Sequence, residues 1–287
     1  MTKCFFGIDE SGEQRSIAGF HKQDTPEWVN QGGLSRKHIF DAVDASVTRL
    51  GTYIDVLQIH RLDRSVPREE IMKALNDVVK SGKVRYIGAS SVRLSISCFH
   101  LIACYLGRRA TDHTPTIQMA AWEFQALQNV ASRNGWHQFI SMQNYYNLIG
   151  REEEREMIPY CLETGVGIIP WSPLARGMLA RPWNSRSTIR ETSDRTLTRF
   201  FRARETDVDK AIVDRVEEVA RKKGLSMAQV AMTWNLCKEG VNPILGLTNK
   251  ERIDEAVATV GVKLTKEEIE YLEELYVPKE VVPLMER

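Results

Sequence analysis

Short apolar runs alternate with longer amphipathic segments along most of the chain. The apolar runs have the length and composition of buried strands, and we predict strands at residues 54–60, 84–90, 139–143, 166–171 and 243–246. The amphipathic segments predict helices at residues 67–83, 119–134, 152–163, 207–223, 226–238, 250–259 and 265–275. Strands that alternate with helices predict a parallel sheet with helical crossovers, buried on both faces.

Local signals mark where two of these helices begin and end. Pro67 lies near the start of one helix, with Glu69 in its first turn and Gly82 at its end. Thr265 and Glu268 have the spacing of a capping box at the start of the last helix. These signals support the helical assignment independently of the apolar spacing.

Polar residues follow the predicted strands in succession. In parallel α/β folds the carboxyl ends of the strands carry the active site. The chain places His60, Ser90, Ser91, Gln143, Asn144, Trp171 and Ser172 at those ends. A doubly wound open sheet is the alternative to a barrel, but the GxGxxG turn typical of dinucleotide-binding open sheets is absent, which favours the barrel.

Net charge and cysteine content argue against several classes of protein, namely those that bind nucleic acid, anionic lipid or zinc and those held together by disulfides. The formal net charge of +1 gives no strong field for nucleic acid or anionic lipid, so we expect neither partner. Five cysteines without CxxC spacing indicate neither a disulfide framework nor a zinc site, and they favour a reduced cytoplasmic protein without metal. The apolar stretch at residues 94–106 is too short to cross a bilayer.

Four motifs carry a resemblance to a known family. They lie at residues 57–61 (LQIHR), 82–91 (GKVRYIGASS), 143–147 (QNYYN) and 171–177 (WSPLARG). Together they resemble the aldo-keto reductases, in the fungal aryl-alcohol-dehydrogenase-like and secondary-metabolism branch, from Thr2 to about Val277. The resemblance implies a (β/α)8 TIM barrel in one domain, residues 1–287, that binds NADP(H) across the strand ends.

The resemblance also implies the chemistry, which is hydride transfer from the nicotinamide to an aldehyde or ketone. A tyrosine donates the proton, helped by a lysine, a histidine and an aspartate that pairs with the lysine. His60 matches the histidine, and Lys3 matches the lysine. A nearby ammonium lowers the pKa of a tyrosine, which is otherwise a poor acid at neutral pH. The alternatives are a structural core histidine and a solvated lysine near a chain end.

The cofactor contacts follow from the same resemblance. Ser90, Ser91 and Gln143 resemble the groups that hold the nicotinamide carboxamide, and Trp171 resembles the aromatic residue that stacks on the nicotinamide ring. Core packing is the alternative role for Trp171. The pyrophosphate loop is matched by Ser172, Leu174, Arg176 and Gly177, in which backbone N–H groups can cradle phosphate.

The adenosine end of the cofactor is matched by Thr248, Asn249, Arg252 and Glu255. Arg252 corresponds to the contact with the 2′-phosphate. A simple N-cap is the alternative role for Asn249, because it precedes a predicted helix. The family often has an asparagine where this chain has Ala256, which puts one adenine contact in doubt.

Two departures from the family pattern stand out. We expect the barrel to be incomplete, without the first two βα units that carry the family aspartate and tyrosine, so no residue here is assigned to either role. Residues 92–118 have no counterpart in the family and form an anomalous insertion. They are either a lid at the mouth of the barrel or the translation of an unspliced intron, and the sequence favours the intron.

The leading hypothesis is an NADP-dependent oxidoreductase of fungal secondary metabolism that reduces an aldehyde or ketone, or oxidises the alcohol. The alternative is a catalytically inactive nucleotide-binding remnant or regulatory subunit that lacks the tyrosine. A barrel hydrolase would need paired carboxylates or metal ligands at the strand ends, and the sequence has none there. The sequence predicts a small-molecule partner and leaves the substrate and the oligomeric state open.

Overall fold

The computed structural model describes residues 1–7, 30–91, 119–185 and 205–279. They fall into two compact units. The first contains described residues 1–7, 30–91 and 119–143, and the second contains 144–185 and 205–279. The expected insertion at residues 92–118 lies outside the described residues.

The first unit alternates strands and helices. The strands are β1 (Thr2–Cys4), β2 (Ile54–Ile59), β3 (Val84–Ser90) and β4 (Phe139–Gln143). They pair in parallel in the order in which they occur in the chain. The helices are α1 (Arg36–Leu50), α2 (Arg68–Lys80) and α3 (Ala121–Arg133). The predicted strands at residues 54–60, 84–90 and 139–143, and their parallel pairing, are confirmed.

The register of the sheet separates apolar from polar side chains. Ile59, Ala89 and Met142 are paired across β2, β3 and β4 and are buried. Helices cover this apolar face of the sheet. For example, the ring of Phe124 in α3 stacks on the ring of Phe139, with the ring centroids 5.7 Å apart. Because side chains alternate along a strand, the other face carries a polar row, which consists of Lys3, Gln58, Ser90, Ser141 and Gln143.

The apolar pattern did not predict α1. The Ser35 hydroxyl caps its start by accepting from the His38 N–H at 3.2 Å. Gly51 ends the helix in the left-handed conformation, with φ of 68°. Ile39 and Val43, one helical turn apart, are fully buried. The sequence therefore carried both capping signals.

The second unit is mainly helical. Its α-helices are α4 (Met157–Glu163), α5 (Asp207–Lys223), α6 (Met227–Leu236), α7 (Lys250–Ala258) and α8 (Lys266–Glu273). Short 3-10 helices cover Glu152–Arg155 and Ala175–Ala180, and β5 covers Gly167–Ile168. The four predicted helices between residues 207 and 275 are confirmed, and the capping box of Thr265 and Glu268 is present.

Proline accounts for two differences from the predicted elements. The predicted helix at residues 152–163 is divided at Glu156 into a 3-10 helix and α4. Pro159 can occupy the first turn of α4, but its ring would clash in a helix that continued from residue 152. The predicted strand at residues 243–246 is irregular. Ile244 still donates to the Pro170 carbonyl at 2.8 Å, but Pro243 and Pro170 have no N–H to extend a ladder.

The predicted strand at residues 166–171 is also shorter than expected. β5 contains two residues, and Trp171 adds only an isolated parallel bridge with Tyr145. Within the described ranges, no helix combines the length and apolar character that a bilayer crossing requires. Cys4, Cys161 and Cys237 are free thiols.

Candidate functional site

In the first unit, two serines fasten the carboxyl ends of β3 and β4. The Ser90 hydroxyl donates to the Gln143 carbonyl at 3.1 Å, and the Ser91 N–H donates to the same oxygen at 2.8 Å. The Ser91 hydroxyl is engaged with the backbone of Met119. Both serines are buried. Their hydroxyl groups thus have structural partners at the position where the sequence predicts a cofactor contact.

The Gln143 side chain lies between two polar groups of the same sheet face. Its Oε1 accepts a hydrogen bond from the Lys3 Nζ, and its Nε2 donates to the Gln58 Oε1 at 3.2 Å. Because an ammonium can only donate, Lys3 fixes which end of the amide faces it. The Gln143 amide is therefore held in one orientation.

The surroundings of Lys3 make its ammonium group more acidic than that of a solvated lysine. The residue as a whole is exposed, but its terminal nitrogen reaches the buried Gln143 amide. Burial of this end lowers the pKa of Lys3 to about 8. The ammonium is thus charged at neutral pH and lies nearer to its titration point than a solvated lysine does.

His60 follows the last residue of β2 and is half-buried. Its N–H donates to the Cys4 carbonyl at 2.9 Å, and its ring lies edge-on to Phe6 at 5.3 Å. Burial, then the positive charges of Lys3 and Arg61, lower the pKa of His60 to about 3. The imidazole is consequently neutral at physiological pH, and one of its ring nitrogens carries a proton for donation.

In the second unit, the segment at residues 171–177 is anchored at its start. The Trp171 N–H donates to the Asn144 carbonyl at 2.8 Å, and the Trp171 ring lies 4.7 Å from that of Tyr145. The Asn147 amide donates to the Ser172 carbonyl at 3.0 Å. Trp171 stays partly exposed, so plain core packing does not account for all of its surface.

The backbone of this segment repeatedly adopts positive φ angles. They are 54° at Ser172, 47° at Ala175, 56° at Arg176 and 102° at Gly177. Left-handed residues in succession curl backbone N–H groups into concave nests that bind anions. Two N–H groups are used internally, those of Ala175 and Gly177, which donate to the Ser172 and Leu174 carbonyls at 2.8 Å. Non-glycine residues in this conformation are strained, and such strain clusters at functional sites.

Of the residues matched to the adenosine end, Thr248, Asn249 and Arg252 lie at or near the start of α7, and Glu255 lies in its second half. Asn249 caps this helix by accepting from the Arg252 N–H at 3.0 Å, so its alternative role as an N-cap is present. Arg252 Nη1 donates to the Thr248 hydroxyl at 3.0 Å, and both residues are exposed. Glu255 accepts from the Ser226 hydroxyl. The Arg252 guanidinium is the exposed cation of this group.

Two further polar side chains were not assigned a role from the sequence. Gln58 and Asn144 are fully buried. Both polar atoms of the Asn144 amide lack a hydrogen-bond partner within the described residues. A polar residue inside an apolar run, and a second amide after Gln143, were the available signals. Across the described residues, no cluster of His, Cys, Asp and Glu has the arrangement of a metal site.

The family comparison agrees with the motifs. Residues 2–98 and 115–277 match the model of the aldo/keto reductase family. The chain belongs to the aldo/keto reductase family. The match leaves out residues 99–114, which lie within the expected insertion.

Individual relatives cover nearly the whole chain. A versiconal hemiacetal acetate reductase of Aspergillus parasiticus is 62% identical over 99% of this chain and 75% of its own length. A Schizosaccharomyces pombe protein with the provisional name aryl-alcohol dehydrogenase is 52% identical, over 97% of this chain and 72% of its own length. An aldo-keto reductase of Metarhizium robertsii is 46% identical, over 98% and 70% respectively.

Family membership confirms three expectations. The fold class is that of the aldo-keto reductase (β/α)8 barrel, with which the parallel strands and alternating helices agree. The chain is an oxidoreductase that acts on carbonyls or alcohols, and its relatives come from fungi. The cofactor of the family is a nicotinamide dinucleotide.

The depressed pKa of His60 generates the first prediction. In an NMR titration, we expect the His60 ring to stay neutral from pH 8 to pH 5, because its folded pKa is about 3 against an ordinary 6.5. Between those two values the unfolded chain binds more protons, so the free energy of unfolding falls as pH falls. His60→Gln should reduce that loss. A titration midpoint near 6.5 in the folded protein would contradict the prediction.

Proposed function

We propose that this chain is an NADP-dependent aldo-keto reductase that reduces an aldehyde or ketone, or oxidises the corresponding alcohol. The observation that carries the proposal is an ammonium of lowered pKa whose charge acts on a neutral imidazole. Lys3 is charged at neutral pH with a pKa of about 8, and His60 is uncharged. A carbonyl oxygen that gains negative charge needs such donors.

In the first unit, the nicotinamide end of the cofactor fits the Gln143 amide at the end of β4. Gln143 presents an amide of fixed orientation, and an amide can pair with the carboxamide of a nicotinamide through complementary donors and acceptors. In the second unit, the buried Asn144 amide lacks a partner within the described residues, which is costly unless a ligand or water satisfies it. The Trp171 ring of the same unit is partly exposed and has the aromatic surface that the resemblance matches to the nicotinamide ring.

The phosphate and adenosine ends fit features of the second unit. The left-handed backbone at Ser172 and at residues 175–177 suits a pyrophosphate, and Arg176 adds a cation there. Arg252 has an exposed guanidinium at the start of α7, which suits the 2′-phosphate that distinguishes NADP from NAD. Thr248, Asn249 and Glu255 support this arginine and its helix.

A bound nicotinamide would supply a hydride to the carbonyl carbon, and the residues of this chain would act on the negative charge that develops on the carbonyl oxygen. The Lys3 ammonium stabilises the negative charge at this oxygen, and the proton on the His60 ring orients it by hydrogen bonding. In the family a tyrosine beside the lysine donates the proton, and the Lys3 charge would lower the pKa of such a phenol.

The first substrates to try follow from the relatives. One relative is named for an aryl alcohol and another for a hemiacetal acetate, and both come from fungi. We propose aryl aldehydes, and the aryl alcohols they give, as the substrate class, in fungal secondary metabolism. A small organic carbonyl is also compatible with the near-zero net charge of the chain.

The central experiment measures cofactor binding and turnover separately. We expect the chain to bind NADPH, by fluorescence titration, and to oxidise it in the presence of an aryl aldehyde. Lys3→Met should lower kcat/KM by about 10²- to 10³-fold, because it removes a charge that acts on the transition state. Lys37→Met, which alters an exposed lysine paired with Asp41, is the matched control and should leave kcat/KM unchanged.

The outcomes separate the candidate functions. NADPH binding with no turnover of any aryl aldehyde or alcohol would select a nucleotide-binding protein without catalysis. Absence of both binding and turnover would overturn the proposal.

The choice of NADP over NAD generates a separate prediction. Arg252→Gln should weaken NADPH binding about tenfold or more and leave NADH binding nearly unchanged, because charge-assisted hydrogen bonds to the 2′-phosphate are lost. Lys266→Gln, which alters an exposed cation on α8, should change neither dissociation constant. Equal losses for NADPH and NADH in the Arg252 variant would refute the assignment.

A further inference from the structure

We propose that Gln58 is a positioning residue, which holds the Gln143 amide in the orientation that lets it bind both Lys3 and the nicotinamide carboxamide. The inference rests on the proposed function, since it uses Gln143 as the nicotinamide contact. No motif of the sequence assigned Gln58 a role. The geometry of the first unit supplies the argument.

Strand register places Gln58 at the centre of the polar row. Gln58 is paired with Lys3 of β1 on one side and with Gly88 of β3 on the other. Ser141 of β4 is the next residue of the same row. Because paired residues in parallel strands point to the same face, Gln58 and Lys3 are side by side beneath the strand ends. Both are within reach of Gln143, to which they are hydrogen-bonded.

The direction of each hydrogen bond follows from the donor inventory. The Lys3 ammonium can only donate hydrogen bonds, so the Gln143 Oε1 must face it. The Gln143 Nε2 then points toward the Gln58 Oε1, which accepts at 3.2 Å. Without that acceptor, the buried Nε2 would lose a hydrogen bond, and the amide would be held from the Lys3 side alone. Gln58 therefore supplies the second point that fixes the amide.

The absence of a side chain at Gly88 gives Gln58 its space. A Cβ at Gly88 would lie 3.1 Å from the Gln58 Cγ and 2.5 Å from the Ser141 hydroxyl oxygen. A side chain at residue 88 would therefore collide with Ser141 and crowd Gln58. Gly88 thus belongs to the same arrangement, although it makes no polar contact through a side chain.

If Gln58 served stability alone, it would be an unfavourable residue at this position. It is fully buried, and its own Nε2 lacks a hydrogen-bond partner within the described residues. A buried donor without a partner destabilises a fold, and an apolar residue of similar size would avoid that cost. The benefit of Gln58 is therefore the orientation of Gln143 and not the stability of the sheet.

The experiment compares three variants of the full chain. Gln58→Met keeps the length of the side chain and removes the acceptor. Gln58→Glu keeps an acceptor oxygen in either protonation state. Gln128→Met is the matched control, because Gln128 is a buried glutamine of the same unit whose amide binds the Phe139 backbone. Dissociation constants for NADP+ are measured at neutral pH without denaturant. Exchange of the Gln143 side-chain amide protons is measured by NMR without cofactor.

We expect Gln58→Met to weaken NADP+ binding about fivefold and to speed exchange of the Gln143 side-chain amide protons, because one hydrogen bond is lost. Gln58→Glu should restore both properties to near the parent values. Gln128→Met should lower stability and leave NADP+ affinity unchanged. Gln58→Leu replaces the Met variant if the latter does not fold.

Three results would overturn the inference. They are a Gln58→Met variant that binds NADP+ as the parent does, a Glu variant no better than the Met variant, and equal losses in the Gln58 and Gln128 variants. If the parent chain does not bind NADP+, the proposed function fails, and amide exchange then decides the inference alone. Unchanged Gln143 exchange in Gln58→Met would show that Gln58 does not position this amide.

Discussion

The parallel register of β1 to β4 is the constraint on which the candidate site depends. Side chains alternate between the faces of a strand, so one slip of register would exchange the apolar and polar faces of the sheet. In the observed register, Leu57 and Ile59 of β2 point into the helix-covered core, and Gln58 points to the opposite face with Lys3. The same pairing that buries the core therefore collects the polar groups.

Electrostatics then gives the collected groups their chemical character. Burial, and then the positive charge of Lys3, lower the pKa of His60 and so disfavour a charge on the imidazole. The result is one cation and one neutral donor in place of two cations. Gln143 adds an uncharged acceptor for the ammonium, which holds its position without neutralising it. A carboxylate in that position would instead have raised the pKa of Lys3.

Sequence patterns predicted much of the fold, because strand burial and helix capping are local properties. The capping box of Thr265 and Glu268, and the strands that contain Gln58 and Gln143, were found in this way. The predicted helix at residues 152–163 is divided at Glu156 because a proline ring clashes with the preceding helical turn. The spacing of apolar residues does not indicate such a clash.

The candidate site was predictable only in part, because pairing between strands is not local. His60 and Gln143 lie at strand ends, where the motifs indicated them. Ser90 and Ser91 also lie there, but their hydrogen bonds fasten β3 to β4 and to Met119. Gln58 lies within an apolar run, and the run alone did not indicate a role for it. The register with Lys3 and the hydrogen bond to Gln143 place its side chain in the polar row.

The central claim is that the carboxyl ends of the first-unit strands hold the reacting end of a nicotinamide cofactor. The most direct test is an NMR titration of the isotope-labelled chain with NADP+. We expect the Gln143 side-chain amide and the His60 ring signals to shift together with one dissociation constant. The backbone amide of Tyr53, which precedes the amino end of β2, should stay unchanged. Shifts at Tyr53 with none at Gln143 or His60 would contradict the account.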